Sequence, residues 1–321
     1  MSAAAETGAR LYFAVQRRRN RDARGLLLVA AAFLALYAYL FPGLLSVGGF
    51  AKFSQSWLPL ALVSMAQAII MIAGGVSLAI GAMVSLGAVI AATSMAGPLG
   101  VAGGAALVMI VGLAVGAACG AIVVRLGLPA IVVTLAASFI VGGAALLILP
   151  RPGGAIPAWL SDLLAGDTPV AAALLVAVVV LWKSYLATPI GLSLYSAGEN
   201  PVAAYRAGAP VDAARIAAYA ASGLLSTCAG LFVAAQTGSG DPVIGEAFTL
   251  NSIAAAVLGG VGFLGGRGAM RGAIAGSLLL SVMINVMYFL GFPPVAHYIA
   301  QGLIIVGAVA LPQFTGRRSG A

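Results

Sequence analysis

Ten apolar stretches follow one another along the chain, at 26–41, 57–72, 76–95, 99–124, 129–149, 170–186, 213–236, 248–263, 268–290 and 295–311, parted by short breaks rich in glycine, proline or arginine. A helix needs about 20 predominantly apolar residues to cross the hydrocarbon of a bilayer. The pattern therefore predicts an all-α, polytopic integral membrane protein of about ten transmembrane helices. Composition agrees: 62% of the 321 residues are hydrophobic and 7% charged, whereas a soluble domain carries roughly a quarter of its residues charged. So little charge cannot cover a water-facing surface, which excludes a cytosolic enzyme and a secreted disulfide scaffold. The stretches 57–72 and 248–263 are short and bordered by glycine, as expected of broken or re-entrant helices, which persist only where protein or a cavity covers their backbone. A basic start before an apolar run also fits a cleaved signal peptide, but the hydrophobicity resumes repeatedly, so a retained first helix is expected.

The formal net charge of +8 reads as an orientation signal and not as a nucleic-acid surface, because Lys and Arg in short loops stay on the cytoplasmic side. With the N-terminus inside, fourteen of the 16 basic residues fall in inner segments: Arg10, Arg17, Arg18, Arg19, Arg21, Arg24, Arg125, Lys183, Arg206, Arg215, Arg267, Arg271, Arg317 and Arg318. Only Lys52 and Arg151 fall outside. Both termini are thus expected in the cytoplasm, with a basic segment at 1–25, one transmembrane domain at 26–311 and a tail at 312–321. The acids divide evenly, with Glu6, Asp22, Glu199 and Asp212 inside and Asp162, Asp167, Asp241 and Glu246 outside, each in a loop or at a span end. The outer loop 150–169, with four prolines and three glycines, suits a short stiff lid. Cys119 and Cys228 lie in apolar runs with no CxxC and no histidine cluster, so no metal site or redox chemistry is expected.

The inner loop at 187–212 carries the clearest local signal. Asn200 suits an N-cap, Pro201 the first helical position, Ala203 and Ala204 a short turn, and Gly208 a C-cap. A short helix so bounded is a rigid knob able to dock on a soluble partner; a plain solvated linker is the alternative.

The run Gly198-Glu-Asn-Pro-Val-Ala-Ala-Tyr-Arg-Ala-Gly208 resembles the cytoplasmic coupling segment of permease subunits of bacterial ABC importers, in the branch that handles ribose and other monosaccharides. The resemblance continues through Ser222-Gly-Leu-Leu-Ser-Thr-Cys-Ala-Gly-Leu231, Leu250-Asn-Ser-Ile-Ala-Ala-Ala-Val-Leu-Gly-Gly260, Gly265-Gly-Arg-Gly268 and Gly272. Upstream it includes Gly74-Gly-Val-Ser-Leu-Ala-Ile-Gly81 and Leu128-Pro-Ala-Ile-Val-Val-Thr-Leu135, so that order and spacing agree from about 57 to 311. Branched-chain amino-acid permeases, the neighbouring branch, match the segment from Gly74 to Gly81 less well.

What the resemblance implies is alternating access in a dimer of permeases, homo- or heterodimeric, with ATPase subunits below and a periplasmic or lipid-anchored solute-binding protein outside. The coupling segment, 188–212, would receive the ATPase motion through Gly198, Glu199, Asn200, Ala203, Ala204, Arg206 and Gly208. ATP and Mg would then sit on the partner ATPase, with no cofactor in this chain. The residues agree independently: a Walker A loop needs glycines around Lys-Ser or Lys-Thr, and the only such pair, Lys183-Ser184, follows Trp182 and lacks them.

The family commonly has Asp where this chain has Ser77 and Asn251, and often Lys at Gln301. Either helix capping, for which Ser and Asn serve as well as Asp, or a changed substrate or half-site accounts for the first two. Gly112, Gly116 and Gly120 recur every fourth residue, as do Gly268, Gly272 and Gly276, which places each trio on one helix face for close packing or sliding. Gln67, Ser77, Ser85, Thr134, Ser138, Asn251, Ser252 and Asn285 are polar positions inside spans and candidates for the translocation pathway of a polyol, unless each bonds a neighbouring helix. His297 stands alone near the last span, as interfacial packing would have it. The alternatives to an ABC sugar permease are an ion-coupled secondary transporter, which needs intramembrane carboxylates or ion-coordinating broken helices, and an ABC permease for nucleosides or branched-chain amino acids.

Overall fold

In a bilayer every backbone amide must find its partner within the protein, and the chain meets this demand with helices. The computed structural model describes residues 42–293 apart from 187 and 264, together with 31, 32, 34, 35, 37–39, 299, 302 and 303. The segments 1–25 and 312–321, most of the stretches 26–41 and 295–311, and His297 and Gln301 lie outside the described residues. After a 3-10 turn at Pro42–Leu45 the helices are α1 (Val47–Ile72), α2 (Ile80–Ser94), α3 (Gly100–Arg125), α4 (Ala130–Ile148), α5 (Ala158–Ala165) and α6 (Val170–Leu186). They continue as α7 (Pro189–Glu199), α8 (Pro201–Arg206), α9 (Val211–Thr237), α10 (Glu246–Leu258) and α11 (Met270–Phe289).

Five of these, α1, α3, α4, α9 and α11, are long and apolar enough to span a membrane, and the pair α5 and α6, bent by 76°, makes a sixth. The remaining apolar helices, α2 with 15 residues and α10 with 13, are half-spans. The stretch expected to be short, 57–72, belongs instead to a 26-residue helix that starts ten residues earlier, where Ser46 caps it by accepting from the Gly49 amide at 3.0 Å. Its glycine-rich, polar first turns hid it from an apolar count. The break falls in the next stretch, at 73–79, and α2 begins only at Ile80.

α9 packs against α1, α2 and α3. Close approach is possible because Gly112, Gly116 and Gly120 of α3 face Thr227 with Gly223, Tyr219 with Ala220, and Ile216 of α9. The four-residue spacing thus serves packing inside the chain. On α11, Gly272 and Gly276 face Gly259 and Ala255. Gly268 does not join them: it precedes the helix at φ 123° and rests on Val261, so the expected trio is a pair. The outer faces of α3, α4 and α6 are apolar, with Ile110, Leu113, Phe139, Ile140, Val176 and Leu181 exposed, as lipid requires.

Charge segregates between the two ends of the bundle. Arg125, Lys183 and Arg206 lie in the last turns of α3, α6 and α8, at the end where α7 and α8 sit. Lys52 lies at the other end, 3.9 Å from Asp167. There the 150–169 loop is anchored and not a free lid. Gly153 and Gly240 exchange backbone hydrogen bonds of 2.9 and 2.8 Å, and Ala155 donates to Ala92 at 3.0 Å.

Gly116→Ala should overpack the α3–α9 contact and destabilise the protein by about 1–3 kcal/mol. Gly142→Ala, in open space on α4, should be neutral or stabilising by up to about 1 kcal/mol. Thermal unfolding in detergent separates the two, and equal midpoints would contradict this packing.

Candidate functional site

Residues 188–208 form an elbow of two helices. Thr188 caps α7, its hydroxyl accepting from the Gly191 amide at 3.1 Å and donating to the Tyr185 carbonyl at 2.6 Å, with Pro189 in the first turn. Asn200, extended at φ −151°, ends α7 and caps α8, its Oδ1 accepting from the Ala203 amide at 3.0 Å. Gly208 closes the elbow at φ 78°, and Ala197, Ala204 and Val211 pack inside the bend. The segment is thus helical on both sides of Asn200. α7 itself was missed, although Thr188-Pro189 carries the same cap-and-proline signal as Asn200-Pro201. On the outer face of α8, Val202 and Tyr205 are 61% and 71% exposed, two apolar side chains beside Arg206.

The elbow rests on backbone. A Cβ at Gly198 would run into the Ile72 carbonyl at the end of α1 and into the Gly266 amide. Gly266 donates to that same carbonyl at 2.9 Å. Gly74, Gly265 and Gly266 adopt φ 86°, 80° and 65°, values that a side chain would strain. Two leads therefore meet the elbow at one point: the 73–79 segment that runs to α2, and the 259–269 segment that leaves α10.

Inside the bundle the 73–79 segment is held by hydroxyls. Thr134 accepts from the Leu78 amide at 3.1 Å and donates to the Ala130 carbonyl at 2.9 Å, while Ser77 accepts from the Ala79 amide at 3.3 Å. Ser77 and Thr134 share a small cavity of about 20 Å³ with Cys119, Tyr219, Ser222 and Ser226, room for about one water. The buried Tyr219 hydroxyl has no hydrogen-bond partner among the described residues.

The other pathway candidates do not gather there. Gln67, fully buried on α1, has neither amide atom partnered among the described residues. Ser138 donates to the Leu135 carbonyl of its own helix at 2.7 Å, and Ser252 likewise to Thr249 at 2.8 Å. Asn251 lies within α10, past its first turn, so capping does not explain its presence. Asn285 donates to the Ser281 carbonyl at 2.8 Å and borders a separate cavity of about 680 Å³ at the Lys52–Asp167 end. Tyr219, Ser222 and Ser226 went unrecognised because polar residues spaced along an apolar stretch do not reveal which face they share. Glu246, expected in an outer loop, is the first residue of α10.

Spanning helices, half-spans inside the bundle and a capped elbow at one end define a multi-pass membrane domain of the transporter kind. Residues 50–309 match the family described as branched-chain amino acid transport system / permease component, and the chain belongs to it. It is 32% identical over 290 residues to the probable ABC transporter permease protein y4mJ of Sinorhizobium fredii, covering 87% of this chain and 86% of that one. Autoinducer 2 import system permease proteins LsrC are also similar. That of an Enterobacter species is 29% identical over 301 residues (91% and 87% covered), and that of Yersinia pestis 29% over 307 (94% and 86%). No solved structure matches the chain. This is a membrane component of an ABC transporter and not itself an enzyme.

Thr134→Val should leave the Leu78 amide unpartnered at a cost of about 1–3 kcal/mol, whereas Thr134→Ser should retain the bond. Faster hydrogen exchange at Leu78 in the valine variant alone is the expected result.

Proposed function

We propose that the chain imports a monosaccharide or similar small polar solute across the bacterial inner membrane, as one half of a permease pair. ATPase subunits dock at the α7–α8 elbow and hold the ATP and Mg, and a periplasmic or lipid-anchored binding protein delivers solute at the opposite end. The observation that carries this reading is the elbow: capped at both bends, seated backbone to backbone on α1, and presenting Val202 and Tyr205 outward. Exposed apolar side chains on a rigid projection are suited to a groove in a partner. Basic residues at that same end favour a cytoplasmic side. The hydroxyls around the inner cavity, neutral and well spaced, suit a polyol, and the autoinducer 2 relatives support a small polar solute over an apolar one.

Replacing Val202 and Tyr205 together by serine should weaken co-purification of a co-expressed cognate ATPase by about 10- to 30-fold, the scale of one interface hot spot, without moving the thermal midpoint of the permease. Undiminished co-purification, with transport intact, would overturn the docking assignment.

A further inference from the structure

Glu246 lies part-way along the length of the bundle. The Gly245 amide donates to the Ser85 hydroxyl at 3.0 Å, and Gly245 packs on Gly81. Ser85 is nine residues before Ser94, the far end of α2, which is roughly 13 Å along a helix axis. A second ruler agrees: Val84 packs on Gly230, seven residues, or roughly 10 Å, from the end of α9 at Thr237. In a hydrocarbon core about 30 Å thick, the start of α10 is therefore near mid-depth. The half-spans α2 and α10 run in opposite directions from adjoining N-termini, and Glu246 stands at the junction.

Its surroundings are equally telling. Glu246 is exposed, between Val243 at 48% and Leu250 at 62% exposure, and it makes no ion pair among the described residues. Faces of α3, α4 and α6 exposed at comparable depth carry large apolar side chains. An ionised carboxylate at that depth costs several kcal/mol against lipid unless it is paired or wet. α10 has no side-chain cap, so its free amides and the positive end of its dipole favour the carboxylate where it stands.

We infer that the edge formed by Val243, Glu246 and Leu250 lines the aqueous solute path, and that Glu246 is a specificity-determining residue for neutral polyhydroxy solutes over anionic ones such as phosphorylated sugars. Its oxygens accept hydrogen bonds from solute hydroxyls, and its charge repels phosphate or carboxylate. The inference rests on the import reading for its solute, but its test needs neither ATPase nor a known substrate.

Leu250→Cys and Phe139→Cys are made singly in a Cys119→Ala, Cys228→Ala background of the full chain in lipid nanodiscs. Each is reacted with cationic trimethylammonioethyl methanethiosulfonate and anionic sulfonatoethyl methanethiosulfonate. Leu250→Cys should react with both reagents, and Phe139→Cys, on the lipid face, with neither. Adding Glu246→Gln should lower the cation-to-anion rate ratio at position 250 by about sevenfold, the effect of one unit charge roughly 7 Å away across water on two opposite probes. A cysteine at 250 as inert as that at 139 would overturn the path assignment, as burial by lipid or by a second copy would produce. An unchanged ratio would overturn the role of Glu246. Should the 250 variant not fold, Val243→Cys gives the same readout. Failure of ATPase docking at the elbow leaves these rates where they are, so the two readings fail separately.

Discussion

Unpaired backbone in an apolar medium is the constraint on which the rest of this structure depends. Helices satisfy it wherever they run uninterrupted, yet the chain leaves that solution at 73–79 and again between Gly238 and Gly245. Both interruptions are repaired locally. Thr134 and Ser77 accept from amides of the first, while in the second Gly153 pairs with Gly240 and the Ser85 hydroxyl accepts from the Gly245 amide. Thr134 ties the first break to α4 and Ser85 ties the second to α2, so removing α4 or α2 from the bundle would expose broken backbone.

Those repairs need helices that come close, and small residues are what permit it. α9 reaches α3 through Gly112, Gly116, Gly120 and its own Gly223, and reaches α2 through Gly87 and Gly230. Without a hydrophobic drive between helices in lipid, such backbone proximity and the dispersion it allows hold the bundle together. Large side chains are therefore sent outward to the lipid on α3, α4 and α6.

The long helices α3, α4, α9 and α11, the all-helical class and the elbow's second half were legible in the sequence for physical reasons. Long apolar runs have few other fates, and Asn200-Pro201 with Gly208 states a cap, a start and a stop in residue types that suit little else. What stayed hidden depends on geometry that hydropathy does not encode. Val76-Ser-Leu-Ala79 is as apolar as a span, so nothing in it announces a break in the helix, and Gly48, Gly49 and Lys52 conceal the start of α1. Of the pathway candidates, Ser77 and Thr134 share a cavity because a break in one helix meets the start of another. Gln67, Ser138, Asn251 and Asn285 were chosen on polarity alone, and they lie on separate faces.

The Ile72 carbonyl, at the end of α1, lies under Gly198 of the elbow and accepts from Gly266 of the 259–269 lead. One lead runs into the start of α2 and the other out of the end of α10, so both half-spans hang from a single anchor though they point in opposite directions.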